Sequence, residues 1–443
     1  MGFTYNINNQ KKDKSSGHFL FICHPLGSII TTFISTFLVA YISEFSKNAA
    51  GTIDTFKYVY NVGIYYLCVY ATFLATYWIF SWLTDITNRV WIYRASQLVR
   101  LAFLLLVIFD GANLARMLPL AGFLYGLSES CYYGSYNVLK QEMVSRKVMS
   151  KYSILITIAS KSMDIIVPVT LGAIISASDY KQASIYVAAV LAIITMLSFG
   201  IKAKKPEGSR YSLKEYFQKL KQHPKARERI MFIYKTSVVY GFTKITNNLL
   251  TICIMLQFGS SLSLGSITSI IGAITIVEIM LATKLTKPSK RNWLYIAVVA
   301  MPLISSVLYV ITASYVTVII YNLLMAISKI IFSAFFDVYR NSTLKEAGLY
   351  SEISEHQTVV ESLLSISRVL SFAILILVGM LKSLLVFQIL LVVFSLSYSG
   401  VNFGLMLYEN KFLKLQHYGI KDPTPEQQEK NFKLVLEKLK KDW

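Results

Sequence analysis

The stretch LTDITNRVWIY, residues 83–93, returns in altered form as LTKPSKRNWLY, residues 285–295. Leu, Thr, Arg, Trp and Tyr occupy the same positions in both copies, and each copy separates two long apolar segments. Trp91 and Trp293 are 202 residues apart in a chain of 443 residues, which is close to half of its length. A repeat at this distance indicates that the chain consists of two similar halves.

The composition is that of a protein surrounded by lipid. The chain is 54% hydrophobic and 15% charged, with a mean hydropathy of +0.51, whereas soluble proteins carry about 25% charged residues. Because a bilayer core about 30 Å thick requires roughly 20 apolar residues per helix, the sequence predicts an all-α polytopic membrane protein with about 12 transmembrane helices in two pseudo-symmetric six-helix halves. The predicted spans are 18–43, 57–82, 90–110, 115–140, 151–175, 183–202, 229–257, 262–284, 292–312, 315–339, 357–382 and 384–408.

The net charge of +20 is unevenly distributed along the chain. Alternate loops are basic and the others nearly uncharged, as in FGSSLS at 258–263. Since Lys and Arg collect in cytoplasmic loops and meet anionic lipid there, we predict a multi-pass protein of the plasma membrane with cytoplasmic N- and C-termini, in contact with membrane lipids and not with nucleic acid. The four cysteines lie far apart in apolar stretches, so we predict no disulfide framework, metal or cofactor.

Four regions follow from this pattern. The linker contains SLKE, beginning at Ser212, which is typical of a capping box at the start of a short surface helix. The tail has an apolar stripe that predicts an amphipathic helix, either packed on the bundle or lipid surface or serving a regulatory partner. The predicted regions are a first six-helix half at 1–202, a cytoplasmic linker at 203–228, a second half at 229–408 and a cytoplasmic tail helix at 409–443.

Further matches between the halves occur inside the predicted spans. Ser128 and Glu129 of span four align with Ser328 and Lys329 of span ten. Lys161 of span five aligns in the same way with Arg368 of span eleven. Several matches in the same order indicate that a unit of six spans was duplicated to give twelve. Parallel halves related by an axis along the membrane normal are one of the known architectures of transporters.

The stretch SWLTDITNR resembles the loop motif of the major facilitator superfamily, roughly G-x-L-a-D-x-x-G-R, between spans two and three. Leu83, Asp85 and Arg89 match this motif, whereas Ser81 and Asn88 stand where the family has glycines. The resemblance implies a central cavity lined by spans one, four, seven and ten, with spans two, five, eight and eleven beside them. It also implies that the acid of the motif pairs with the neighbouring half as a cytoplasmic latch, the alternative being an incidental acid among topology-determining charges.

Ionisable residues inside the spans define a possible site, because each costs about 2.5–3.5 kcal/mol on insertion scales. Glu129 and Lys161 both lie about 15 Å from the loop that joins their spans, at 1.5 Å per residue, so we expect them to pair near the midplane. Lys329 and Arg368 form the matching layer of the second half. Spans three, six, nine and twelve are predicted to carry essentially no charge at this depth.

These residues receive three predicted roles, with static ion pairs that clamp the halves together as the alternative. Glu129 and Asp164 are the predicted proton-coupling acids, because desolvation raises and a nearby Lys lowers the pKa of a carboxyl group. The predicted substrate-binding residues are Lys161, Lys244, Asn248, Lys329 and Arg368, with the rings of Tyr132, Tyr133, Tyr136 and Phe336. The predicted latch and gate residues are Asp85, Arg89, Glu278, Arg291, Asp337 and Glu361.

The sequence therefore predicts a monomeric secondary active transporter that moves a small anionic or zwitterionic solute by alternating access, coupled to protons. A lipid or amphiphile flippase, or a drug efflux pump of the same fold, is the alternative. No catalytic motif of a membrane transferase or protease is recognised, so we expect no enzyme activity.

Overall fold

The computed structural model describes residues 14–143, 149–203, 211–285, 291–346, 349, 352–408 and 411. This part of the chain is helical apart from short turns, which confirms the predicted all-α fold class. The helices before the linker are α1 (Lys14–Thr32), α2 (Leu38–Phe45), α3 (Thr55–Ile86), α4 (Arg89–Asp110), α5 (Leu114–Met143), α6 (Met149–Ala177) and α7 (Tyr180–Ser198). A π-helical turn, Phe33–Phe37, joins α1 to α2.

The remaining helices begin in the predicted linker. They are α8 (Leu213–Gln222), α9 (Pro224–Phe258), α10 (Ser261–Leu285), α11 (Arg291–Thr312), α12 (Tyr315–Glu346), α13 (Ile353–Leu381) and α14 (Leu384–Tyr408). The predicted spans fall on these helices, except that span six extends past the end of α7 by residues 199–202 and span eleven past the end of α13 by residue 382. Helix α8 lies where the sequence predicts a short surface helix. The predicted tail helix at 409–443 lies outside the described residues, apart from Lys411.

By length and composition, nine helical segments in the described part of the chain could cross a membrane. Helix α5 is not among them. Helices α10 and α12 are apolar over the shorter stretches Ser261–Ile274 and Tyr315–Lys329.

Local sequence determines where several helices begin. The carboxylate of Asp54 accepts hydrogen bonds from the backbone N–H groups of Phe56 and Lys57 at the start of α3. Asn88 accepts one from Val90 at the start of α4, and Asp179 accepts one from Gln182 at the start of α7. Each side chain thus satisfies an N–H group that has no partner within its helix.

Two glycines bring α5 against α3. A Cβ atom at Gly122 would lie 2.5 Å from the carbonyl oxygen of Tyr65, and one at Gly126 would lie 2.3 Å from that of Val69. Because later residues of α5 meet later residues of α3, the two helices are parallel. This close contact determines the position of Glu129, which follows Gly126 by less than one turn.

The described chain divides into two compact units that differ from the predicted halves. Unit 1 comprises Met1–Ser212, Thr251–Ile276 and Arg368–Ser383. Unit 2 comprises Leu213–Leu250, Val277–Ser367 and Leu384–Trp443. Unit 1 therefore includes parts of α9, α10 and α13 in addition to the first seven helices.

At the end of unit 1 where α3 and α5 begin, two pairs of helices cross in close contact and close that end. We call it the far end. Helix α13 crosses α3 there, and a Cβ atom at Gly379 would lie 2.7 Å from the Cβ of Tyr60. One at Gly63 would lie 2.7 Å from the Cγ1 of Ile376. The glycines therefore let the two backbones come close together.

Helices α6 and α10 form the second crossing at the far end. A Cβ atom at Gly265 would lie 2.2 Å from the carbonyl oxygen of Pro168, and one at Gly272 would lie 2.9 Å from that of Asp164. The Oγ of Ser269 also accepts a hydrogen bond of 3.1 Å from the backbone N–H of Val169. Small residues again set the distance between the helices.

In unit 2, the linker helix α8 packs with one face against other helices. Tyr216 and Leu220 are buried there beside Ile230 of α9 and Val360 of α13. The hydroxyl of Tyr216 lies 2.7 Å from that of Tyr234. A surface helix is therefore held by an apolar face and a buried polar contact.

Candidate functional site

The observed helix bounds place several charged residues of unit 1 at a similar distance from the far end. Asp164 lies 13 residues before the end of α6 at Ala177, and Arg368 lies 13 residues before the end of α13 at Leu381. Glu129 lies 15 residues after the start of α5 at Leu114. At 1.5 Å per residue, all three are about 20 Å from the far end, in the middle of helices long enough to span a bilayer.

Glu129 pairs with a residue that the sequence analysis overlooked. Its Oε1 accepts a hydrogen bond of 2.7 Å from the Nη2 of Arg100 on α4. The expected pair with Lys161 is wrong, and so is the expectation that span three carries no charge at this depth. The antiparallel contact of α4 with α5 brings Arg100 opposite Glu129, which distance along the chain does not reveal.

Lys161 pairs instead along its own helix. Its Nζ donates a hydrogen bond of 2.7 Å to the Oδ2 of Asp164, three residues later on α6. Their side chains are 32% and 36% exposed, whereas the side chain of Arg100 is only 2% exposed. The two ion pairs of this layer therefore differ sharply in how far their side chains are exposed.

The predicted tyrosines have different surroundings. Tyr132 and Tyr136 are buried, whereas Tyr133 is 36% exposed. The hydroxyl of Tyr132 shares a hydrogen bond of 2.6 Å with the Nδ1 of His24, and the His24 ring stacks on Tyr136 at 4.4 Å. The first two tyrosines thus belong to a packed cluster, and Tyr133 is the one whose ring remains accessible.

Arg368 contacts an aromatic group on α3. Its guanidinium carbon lies 5.2 Å from the ring centroid of Tyr70. Phe372, one turn further along α13, stacks on Tyr70 at 5.6 Å and on Tyr66 at 5.0 Å. The predicted anion-binding arginine therefore lies next to the aromatic contacts that hold α13 against α3. Tyr70 was not predicted, although the spacing of Tyr66, Tyr70, Phe73 and Tyr77 indicates a single face of α3.

The other predicted substrate residues lie in unit 2. Lys244 and Lys329 are half-buried on α9 and α12. The Nδ2 of Asn248 is buried and has no hydrogen-bond partner among the described residues. Phe336 is buried and packs against Phe332 at 4.8 Å and Tyr240 at 5.8 Å, as expected for a core aromatic side chain.

The loop motif forms a local ion pair. The Nη2 of Arg89 lies 3.6 Å from the Oδ1 of Asp85, and the Nε of Arg89 donates a hydrogen bond of 2.9 Å to the carbonyl oxygen of Thr84. Both charged residues are buried in unit 1. Of the other predicted gate residues, Glu361 is half-buried on α13. The side chains of Glu278, Arg291 and Asp337 lie outside the described part of the structure.

Comparison with known families gives a match over most of the chain. The sequence model of the Major Facilitator Superfamily matches residues 20–353. A Bacillus subtilis (strain 168) protein described as uncharacterized, YqgE, is 23% identical over 237 residues, which is 52% of this chain and 54% of that protein. The chain thus spans about half the length of this curated relative.

Solved structures of transporters resemble the fold. A POT family transporter in complex with 5-aminolevulinic acid has a TM-score of 0.65 and 10% identity, covering 88% of this chain and 95% of that one. The nucleoside transporter NupG has a TM-score of 0.60 and 14% identity, covering 89% and 98%. The human organic anion transporter MFSD10 has a TM-score of 0.60 and 12% identity, covering 89% and 100%. At these identities the likeness shows the fold alone.

Proposed function

The chain belongs to the major facilitator superfamily, and from that premise we propose that it is a secondary active transporter of a small anionic or zwitterionic solute. The transport is coupled to protons and proceeds by alternating access. Its termini face the cytoplasm of a cell whose plasma membrane it spans, and it acts as a monomer.

One observation carries this proposal, namely the layer of charged side chains in the middle of the helices of unit 1. Lys161 and Asp164 are both about one third exposed, and Arg368 is half-buried beside Tyr70. Cations in such a layer attract an anionic group, and Arg binds a carboxylate through two parallel hydrogen bonds. Because charges inside a membrane are costly, their retention favours a binding function over a stabilising one.

The far-end crossings support alternating access. Gly272 contacts the backbone of Asp164, and Phe372 contacts the ring that Arg368 covers. The charged side chains therefore lie directly next to the two helix crossings that close the far end. Separation of these glycine-lined crossings would expose the same charges from the far end, which we assign to the outside of the cell.

A thermal-shift screen of the purified protein tests the substrate class. The compounds are amino acids, 5-aminolevulinic acid, dipeptides, nucleosides, sulfate and phospholipid headgroups, each at two pH values. Specific binding raises the unfolding temperature by mass action. We expect small anions or zwitterions to give a shift that Lys161→Gln and Arg368→Gln abolish.

Lys47→Gln is the matched control, because Lys47 also pairs with an acid three residues away, Glu44, but at an exposed site. This variant should retain the ligand-induced shift. A shift with phospholipid headgroups and none with small anions or zwitterions would instead favour a flippase.

A further inference from the structure

Arg100 occupies an unusually closed position on α4. Besides its bond to Glu129, its guanidinium carbon lies 4.4 Å from the ring centroid of Tyr132. On the side of α1, a Cβ atom at Gly27 would be in contact with its Nη1, at 4.0 Å. Its Nε is buried and has no hydrogen-bond partner among the described residues. Glu129 therefore supplies the opposite charge that this buried cation requires.

The ring of Tyr132, which lies against the guanidinium of Arg100, is itself held in place by other side chains. Tyr132 shares a hydrogen bond with His24 and stacks on Tyr136 at 5.4 Å. The ring of His24 stacks in turn on Tyr136 at 4.4 Å. His24 thus holds the tyrosine in place, and the ring of the tyrosine lies against the guanidinium.

Among the described residues, Glu129 faces one cation and two phenols. Arg100 approaches from α4 and is always protonated. Tyr65 of α3 and Tyr125 of its own helix lie close enough to interact electrostatically with the carboxylate, and their phenols are neutral hydrogen-bonding groups. To protonate Glu129 would leave Arg100 buried without a counter-charge.

The surroundings of Asp164 differ from those of Glu129. Its partner Lys161 is on the same helix, and about one third of each side chain is exposed. The backbone of Asp164 also lies at the α6–α10 crossing, against Gly272. Asp164 is therefore less enclosed than Glu129, and a movement of that crossing would change the surroundings of this carboxylate.

We propose that Arg100 is a positioning residue that holds Glu129 permanently ionised, and that Asp164 is the acid that takes up and releases the coupling proton. This inference rests on the proposed function, since it assigns the proton site of the same transporter. The two candidate acids are distinguished by their partners. In this assignment Glu129 is a fixed charge, and Asp164 is the acid that titrates.

The test measures the charge displaced by rapid pH steps in reconstituted protein on a supported membrane, without any substrate. We expect the titration curve of the wild type to persist in the double variant Arg100→Gln/Glu129→Gln, in which the buried pair is neutral. The curve should be lost in Asp164→Asn. Arg100→Gln alone should add a second titration as Glu129 gains a proton, and Arg100→Lys should restore the single curve.

Size-exclusion profiles and circular dichroism select the variants that fold. Loss of the curve in the double variant, together with its retention in Asp164→Asn, would overturn the assignment. If Arg100→Gln adds no second titration, the role of Arg100 is wrong. A wild type that displaces no charge would refute proton coupling itself and the assignment of Asp164, while the Arg100 variant still reports on Glu129.

Discussion

At the scale of single residues, the Arg100–Glu129 pair is the most closed polar contact of the charged layer. The pair joins two helices at 2.7 Å with both side chains nearly excluded from solvent. In such a site the desolvation cost of the charges rivals their mutual attraction. The pair therefore contributes less to net stability than the loss of one partner would indicate.

We predict that Glu129→Gln and Arg100→Gln each lower the free energy of unfolding by about 3–5 kcal/mol, because each leaves a buried charge without its partner. The double variant should be more stable than either single variant, since no unpaired charge remains. Unfolding of the four proteins in detergent completes a double-mutant cycle. Additive effects of the two substitutions would show that the pair does not couple energetically.

The sequence predicted the depth of Glu129, because position along a helix converts directly into distance. It did not predict the partner, because Arg100 lies on a different helix whose rotation depends on packing between α4 and α5. Lys161 and Asp164 differ in this respect, since a spacing of three residues on one helix already brings their side chains together. The sequence therefore predicts contacts within one helix, whereas contacts between helices depend on packing that the sequence does not show.

At the scale of elements, α8 is held on unit 2 by contacts of two kinds. Tyr216 and Leu220 bury apolar area, and Tyr216 shares a hydrogen bond of 3.1 Å with the Nδ1 of His356. Lys219 also pairs with Glu352 beside the start of α13. Burial raises the pKa of Tyr216 from 10.0 to about 12, and the hydrogen bond to Glu352 raises the pKa of Lys219.

We predict that α8 detaches progressively between pH 10 and about 12, the range between the ordinary and the docked pKa of Tyr216. Docking favours the protonated phenol, so its contribution is complete below pH 10 and is lost as the pH rises through the docked value. Hydrogen exchange of residues 213–222 measures the detachment.

Tyr216→Phe should retain only the smaller pH dependence that Lys219 contributes, because the ring remains and the titrating hydroxyl is removed. Tyr315→Phe is the control, since its ring is 58% exposed. An unchanged alkaline transition in Tyr216→Phe would assign the effect to another group.

At the scale of the whole molecule, the predicted spans coincide with helices, because runs of about 20 apolar residues depend only on local composition. The borders of the compact units depend on packing instead. Unit 1 takes Thr251–Ile276 and Arg368–Ser383 from the predicted second half. Both segments reach it through glycines, and the sequence does not state which helix a glycine faces.

The far-end contacts give the last prediction. A transporter that works by alternating access must separate α13 from α3 in every cycle, so a covalent bond across this crossing should stop it. Cβ atoms at positions 60 and 379 lie 2.7 Å apart, and the roughly 3.5–4.5 Å of a disulfide is reached by a shift of about 1–2 Å.

We therefore expect Tyr60→Cys/Gly379→Cys to lose transport when oxidised and to regain it after reduction. The assay is uptake into proteoliposomes of the compound that gives the largest thermal shift. Each single-cysteine variant controls for the substitution itself, because it cannot form the bond. Undiminished uptake by the fully cross-linked protein would mean that this crossing stays closed throughout the cycle, and that the solute reaches the charged layer by another route.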